Sequence, residues 1–138
     1  MSRAAKTHAG FGLVELLVVL AIVGILASIA LPTYAGHIAR VRRVEGRSVL
    51  LQAAQWLERS ATASGSYWTG PLPAALAVRA GPYYVLTSRS TPVSYTLEAT
   101  PTGAQAGDRC GTLSLHQTGR REIHHAQPDA TVDACWNR

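Results

Sequence analysis

The chain has 138 residues, a hydrophobic fraction of 47% and a formal net charge of +5. This length leaves room for one modest domain and excludes a second one of comfortable size. The sequence contains no internal repeat, no phosphate-binding glycine loop and no G-x-S-x-G or H-E-x-x-H motif. We therefore expect a protein that is not an enzyme and that carries no cofactor.

The first predicted element is an apolar helix from residue 11 to residue 31. Among these 21 residues Glu15 is the only charged one, and Ser28 has the only other polar side chain. At about 1.5 Å per residue, such a helix is as long as the hydrocarbon core of a bilayer is thick. A carboxylate inside a membrane span is costly and usually has a partner or a function. The sequence therefore predicts a membrane-spanning segment in which Glu15 has a role.

A short basic leader precedes this span and ends in Gly10. A small residue placed before the apolar run argues against a secretory signal, whose cleavage site follows the run. The leader, Gly10, Phe11 and Glu15 together resemble the class III signal of type IV prepilins. The alternative is an uncleaved signal anchor that carries a chance glutamate.

The resemblance implies a processing site and an assembly site. Prepilin peptidase would cleave after Gly10, and the amine of Phe11 would then be methylated. Glu15 would pair in the fibre with the N-terminal ammonium of a neighbouring subunit, where the two charges offset each other's desolvation. Gly12 departs from the family, which more often has threonine there. We thus expect a leader at residues 1–10, a transmembrane and assembly helix at 11–32 and a globular head at 33–138.

The charges around the span conflict with this topology. Four arginines follow the span closely, whereas the leader holds one arginine and one lysine. The positive-inside rule alone would therefore place the head in the cytoplasm. The prepilin resemblance requires the opposite orientation, which we adopt. The protein would lie in the inner membrane before assembly and in a pilus at the cell surface afterwards, with its head on the periplasmic or extracellular side.

Beyond the span the sequence predicts an amphipathic helix from Thr33 to Ala63. Its small and apolar residues recur with helical spacing, and Ser64-Gly65-Ser66 ends it. Gly24 and Pro32 predict a kink or a loosened segment before it. Their positions match a segment that can melt locally in assembled pilins. The residues with helical spacing are Leu50, Ala53, Ala54, Leu57 and Ala61.

The rest of the chain is typical of a small antiparallel sheet. Residues 67–82 contain three prolines and two glycines and predict an irregular connection, with Tyr67, Trp68 and Leu72 folded back on the helix. Alternating and β-branched runs then predict successive strands joined as a meander. The fold class is α+β, with a long N-terminal helix packed on the sheet as in type IV pilins. The predicted strands are 83–86, 93–99, 111–116 and a short one at 121–123.

The C-terminal half, from residue 103 to 115 together with Cys135-Trp136, is similar to PilE-like minor pilins. Cys110 and Cys135 are the only cysteines, and in an exported domain such a pair indicates a disulfide. The competing interpretation is a metal site that uses both cysteines with His124 and His125. We disfavour it because the sequence has no C-x-x-C motif and lacks the usual zinc spacing.

Taken together, the sequence predicts a structural minor pilin whose partners are other pilin subunits, prepilin peptidase and the inner membrane. It also offers two alternatives. The first is a DNA-binding minor pilin for DNA uptake, with a basic patch at Arg120, Arg121, His124 and His125. The second is a pseudopilin of a type II secretion system, for which Asp129 and Asp133 are too few to indicate a calcium site.

Overall fold

The computed structural model of the chain describes residues 12–137, except for the side chains of residues 32 and 33. Contacts between Cα atoms divide the chain into two units, Met1–His37 and Ile38–Arg138. The elements in chain order are α1 (Leu13–Ser64), α2 (Ala74–Arg79), β1 (Tyr84–Thr91), β2 (Ser94–Pro101), a 3-10 turn (Gly103–Gln105), β3 (Thr112–His116), β4 (Arg121–His124) and α3 (Val132–Trp136).

Helix α1 is one uninterrupted element in the structure. The predicted membrane-spanning segment and the predicted amphipathic helix are therefore two parts of one long helix, as the expected fold class requires. Proline removes a single backbone donor, so only one hydrogen bond of the helical ladder is lost while its neighbours persist. Local melting between Gly24 and Pro32 inside a fibre stays a prediction. The predicted stop is confirmed, because α1 ends at Ser64 and Gly65 follows with a φ of 79°.

The second unit is built around an antiparallel meander, as predicted. Its four strands lie in the order β1-β2-β3-β4, and each pairs with the next one along the chain. One face of the sheet packs on the amphipathic side of α1, where Leu50, Ala53 and Leu57 are fully buried against Leu97 and Leu113. The core therefore lies between one helix and one face of the sheet.

The connection after α1 folds back on the helix as predicted. The Tyr67 hydroxyl donates to Glu58 Oε1 of α1 at 3.1 Å, and the Trp68 ring lies 6.5 Å from the Trp56 ring of α1 in an edge-to-face arrangement. The prediction that this whole segment is irregular is wrong, because it contains α2. That helix has only six residues and no fully buried side chain, so it shows no apolar period that a sequence pattern could reveal.

Candidate functional site

The predicted processing site lies outside the described residues, since Gly10 and Phe11 precede them. Glu15 is described and occupies the first turn of α1. A carboxylate there complements the positive end of the helix dipole. The structure thus contains one member of the proposed assembly pair.

The helix around Glu15 exposes its apolar side chains throughout. Exposed fractions run from 79% at Leu13 to 49% at Val19, and Leu31 is 67% exposed. The mean hydropathy of this part of α1 is 2.8, and none of it is buried inside the protein. By length and composition it could cross a membrane. A soluble monomer rarely exposes an apolar surface of this extent, so the segment needs an apolar environment.

A second candidate site lies on the face of the sheet that points away from α1. Residues directly opposite each other on paired strands share a face, so the register assigns this outer face. Glu98, Ser114 and Glu122 lie side by side on β2, β3 and β4. Apart from Val85, the outer face of the paired strands carries polar side chains, namely Thr87, Arg89, Thr96, Glu98, Thr100, Thr112, Ser114, His116, Glu122 and His124.

Glu122 is the centre of the polar contacts on this outer face. Its Oε2 lies 2.9 Å from His116 Nε2 and 3.6 Å from His124 Nε2, and its Oε1 lies 3.1 Å from Arg120 Nη2. Thr96 Oγ1 contacts the other ring nitrogen of His116 at 3.1 Å and so orients the ring. The hydrogen bond from His116, followed by the charges of Arg120 and the two histidines, lowers the pKa of Glu122.

A shallow groove adjoins this cluster on the outer face. Its volume is about 410 Å³, and it is lined by Arg89, Glu98, Thr100, Thr112, His124 and His125. Arg89 pairs loosely with Glu98 at 3.8 Å, and its side chain is 82% exposed. His125 follows β4 with a φ of 56°, a conformation uncommon for a non-glycine residue. The groove therefore offers cationic and hydroxyl groups to a polar ligand.

The four residues of the predicted DNA patch do not share one face. Arg121 pairs with Leu115 on the helix-facing side of the sheet, whereas Arg120, His124 and His125 lie with Glu122 or the outer groove. Arg120 precedes β4 and contacts Glu122, whereas Arg121 is the first residue of β4 and lies on the other side of the sheet. This arrangement places Arg121 apart from the other three residues, and DNA contact by these residues stays a prediction.

Arg121 instead belongs to a cluster at the C-terminal end of the chain. Its guanidinium lies 5.3 Å from the centroid of the Trp136 ring and donates to Asn137 Oδ1 at 3.0 Å. Arg47 on α1 donates to the carbonyl oxygen of Trp136. Burial, and then the neighbouring Arg43 and Arg121, lowers the pKa of Arg47. The contacts of Arg121 are those of a side chain that anchors the C-terminal helix.

Sequence reasoning missed His116, Glu122, Arg89 and Glu98 as members of the outer face. The alternation of β4 already places Glu122 and His124 on one side of that strand. His116 could be added only from the register between β3 and β4, which depends on the turn that joins them.

Cys110 and Cys135 form the predicted disulfide, with Cα atoms 5.7 Å apart. Both thiols are consumed, so the alternative metal site loses its sulfur ligands. Within residues 12–137 no three His, Cys, Asp or Glu side chains form a group that could hold a metal ion. Asp129 pairs with Arg109 at 2.7 Å, and Asp133 accepts from Asn137 Nδ2. These contacts give the pseudopilin alternative no calcium site in the described part of the chain.

Two family profiles match this chain. Residues 32–114 match the family described as type IV minor pilin ComP, DNA uptake sequence receptor. Residues 5–31 match the prokaryotic N-terminal methylation motif. The first profile ends in β3, so β4 and the Glu122 cluster lie beyond the matched range.

Fimbrial proteins match a short stretch of the chain. The type IV major fimbrial protein FimA of Dichelobacter nodosus is 52% identical over 40 residues, which is 29% of this chain and 25% of that protein. A fimbrial protein of Moraxella nonliquefaciens is 61% identical over 33 residues, 24% of this chain and 21% of that protein. The matched stretch thus spans about a quarter or less of the length of these relatives.

Two solved pilin structures share the fold. A type IV pilin of Shewanella oneidensis superposes with a TM-score of 0.54 at 31% identity, covering 68% of this chain and 96% of that chain. The non-core minor pilin PilV of Neisseria meningitidis superposes with a TM-score of 0.54 at 25% identity, covering 70% of this chain and 95% of that one. The long helix and the four-stranded antiparallel sheet are therefore those of type IV pilins.

Proposed function

The chain belongs to the type IV minor pilin family, and from this membership we propose that it is a structural subunit of a type IV pilus. In this role it supports pilus assembly and pilus-dependent motility or adhesion. The observation that carries the proposal is the exposed apolar part of α1, with Glu15 as its only charge. Such a surface must be covered, first by lipid and then by the helices of neighbouring subunits.

The assembly mechanism follows from the chemistry of the N-terminus. Prepilin peptidase cleaves between Gly10 and Phe11 at the inner membrane, and the new amine is methylated. The ammonium of one subunit then meets the Glu15 carboxylate of the next inside the apolar core of the fibre. The head stays on the periplasmic side and reaches the cell surface with the pilus. The match of residues 5–31 to the N-terminal methylation motif supports this sequence of events.

The test replaces Glu15→Gln, which removes the charge and keeps the shape. We expect the variant protein to accumulate in the membrane but to be lost from sheared pili, measured by immunoblot of both fractions. Leaving one partner of a buried ion pair alone costs about 3–5 kcal/mol, enough to prevent incorporation. Ser28→Ala in the same helix is the matched control, and it should incorporate normally. Incorporation of the Glu15 variant at the wild-type level would overturn the assembly mechanism.

A second candidate function is DNA capture during DNA uptake. Two observations favour it: the matched family is described as a DNA uptake sequence receptor, and the outer face of the sheet gathers Arg89, Arg120, His124 and His125. Clustered cations bind a phosphate backbone by releasing its counterions. On this proposal the head contacts DNA through the outer face, and Arg121 is not part of the contact.

The DNA proposal is tested with the full-length protein in detergent micelles and a fluorescent DNA duplex. Anisotropy across a salt series should show binding that weakens as salt rises. Arg120→Ala should weaken binding. It should also reduce, by about one, the slope of the logarithm of the binding constant against the logarithm of the salt concentration. Arg109→Ala is the matched control, because Arg109 also forms an exposed ion pair but belongs neither to the outer groove nor to the Glu122 cluster. If the two variants weaken DNA binding equally, the outer face is not the DNA contact.

A further inference from the structure

We propose that Glu122 acts as an internal competitor for phosphate on the outer face of the sheet. Its carboxylate occupies the position between Arg120, His116 and His124 that a phosphate group would otherwise take. Binding of a DNA phosphate then requires these donors to exchange one anion for another. This inference rests on the proposed DNA capture, and it adds that Glu122 lowers the affinity of the head for DNA.

The contacts of Glu122 resemble those of a bound anion. Both carboxylate oxygens are engaged, one by the guanidinium of Arg120 and the other by the two imidazole rings. An oxyanion of a phosphate diester accepts the same donors with similar geometry. The lowered pKa of Glu122 is consistent with an ionised carboxylate in this position.

Exchange is feasible because the cluster is open to solvent. The side chain of Glu122 is 32% exposed and that of Arg120 is 65% exposed. Exposed ion pairs contribute little to stability and are screened by salt, so breaking this one costs the fold little. By contrast, a carboxylate left beside an incoming phosphate repels it. Glu122 therefore weakens DNA binding more than it stabilises the protein.

The other side of the outer face repeats the arrangement. Arg89 on β1 is offset by Glu98, as Arg120 is by Glu122, so each outer-face arginine has its own carboxylate. With strands about 4.8 Å apart, β1 and β4 are separated by roughly 14 Å, and the two arginines would reach different phosphates. The face is close to neutral as it stands and becomes cationic only where a carboxylate is displaced.

The decisive experiment compares Glu122→Gln with Asp129→Asn in the full-length protein in detergent. Both changes remove the carboxylate partner of an exposed arginine, so the change in net charge is identical. Affinity for a DNA duplex is measured by anisotropy across a salt series. We expect Glu122→Gln to bind about fivefold more tightly than Asp129→Asn, in line with the weakness of exposed ion pairs. For Glu122→Gln, the slope of the logarithm of the binding constant against the logarithm of the salt concentration should also be steeper by about one.

Each outcome has a distinct meaning. If the wild type binds and the two variants gain equally, Glu122 is no competitor, while DNA capture stands. If neither the wild type nor the Glu122 variant binds at low salt, DNA capture fails and the inference with it. Glu98→Gln serves as a second variant should Glu122→Gln fold poorly, as judged by circular dichroism. It should also bind more tightly than Asp129→Asn, and an equal affinity would overturn the inference for both carboxylates.

Discussion

Arg43 and Asp108 form a two-point ion pair that joins α1 to the loop before β3, across 65 positions of sequence. Arg43 Nε lies 2.9 Å from Asp108 Oδ2, and Nη2 donates to Oδ1. Their side chains are only 7% and 1% exposed. The Tyr84 hydroxyl donates to the same carboxylate, and Gln105 Nε2 reaches the carbonyl oxygen of Ala39. This network fixes the helix against the loop between β2 and β3.

Asp108→Asn should therefore destabilise the protein severely. The substitution leaves the buried guanidinium of Arg43 without its counter-charge, which costs about 3–5 kcal/mol. The free energy of unfolding, measured by denaturant titration in detergent, gives the loss directly. Asp129→Asn removes the exposed partner of Arg109 and should cost no more than about 1 kcal/mol. Similar losses in the two variants would show that the Arg43 pair is not isolated from solvent.

Alkaline pH should destabilise the head through Tyr84. Burial, and then the charge of Asp108, raises the pKa of Tyr84 to about 12. The unfolded chain ionises near pH 10, so the tyrosine stabilises the fold fully below pH 10 and loses that contribution as pH rises towards 12.

Tyr84→Phe removes this ionisation and tests its share of the alkaline instability. The drop in melting temperature between pH 9 and pH 11 should be smaller in the variant than in the wild type. At pH 7 the variant should lose about 1 kcal/mol, because the hydroxyl no longer bonds its partners. An unchanged alkaline drop would assign the pH dependence to other groups. Tyr95 is one of them, because burial followed by Glu58 raises its pKa as well.

The sequence predicts the helices and strands whose apolar residues recur with a regular spacing and are buried on one face. The alternation from Val93 to Ala99 predicted β2, and the register sets Leu97 and Ala99 opposite Leu115 and Leu113 in the core. The helical spacing from Leu50 to Leu57 likewise predicted the side of α1 that packs on them. These patterns are local, and hydrophobic burial alone decides which way they face.

The elements that the sequence missed are held by tertiary contacts. Helix α3 has five residues, and it is tied by the Cys135 disulfide and by the bond from the Trp136 indole to the carbonyl oxygen of Glu122. Neither contact leaves a periodic trace in the sequence. The predicted DNA patch groups residues that are adjacent along the chain, whereas Arg120 precedes β4 and contacts Glu122, and Arg121 begins β4 on the helix-facing side. His116 contacts Glu122 as Arg120 does, and the pairing of β3 with β4 brings it there.

Loss of the disulfide should loosen the C-terminal segment. Cys110 and Cys135 close a loop with a sequence separation of 25, and both are 1% exposed. Replacing both with alanine should lower the free energy of unfolding by roughly 3.5 kcal/mol in the chain-entropy model. Hydrogen exchange of residues 132–137 should rise more than that of β2. Equal protection in the variant and the wild type would mean that Trp136 packing alone holds α3.

Gly111 should be the least replaceable glycine of the loop before β3. A Cβ at this position would lie 2.2 Å from the carbonyl oxygen of His124 and 2.7 Å from that of His125, and its φ is 58°. Gly111→Ala therefore combines a left-handed backbone with a collision against the end of β4. We expect a loss of about 3 kcal/mol or more in the free energy of unfolding.

Gly119→Ala separates the two contributions. Gly119 has a φ of 79°, but nothing lies within 4 Å of the added Cβ, so the left-handed backbone alone should cost about 1–2 kcal/mol. The difference between the two variants then measures the collision with β4. Because Thr112 pairs with His124 beside Gly111, the Gly111 variant should also disturb the outer groove and weaken DNA binding, if the head binds DNA there. Equal losses of unfolding free energy in the two variants would mean that β4 shifts away from the added Cβ at little cost. The pairing that holds Glu122 beside His116 would then be easily displaced.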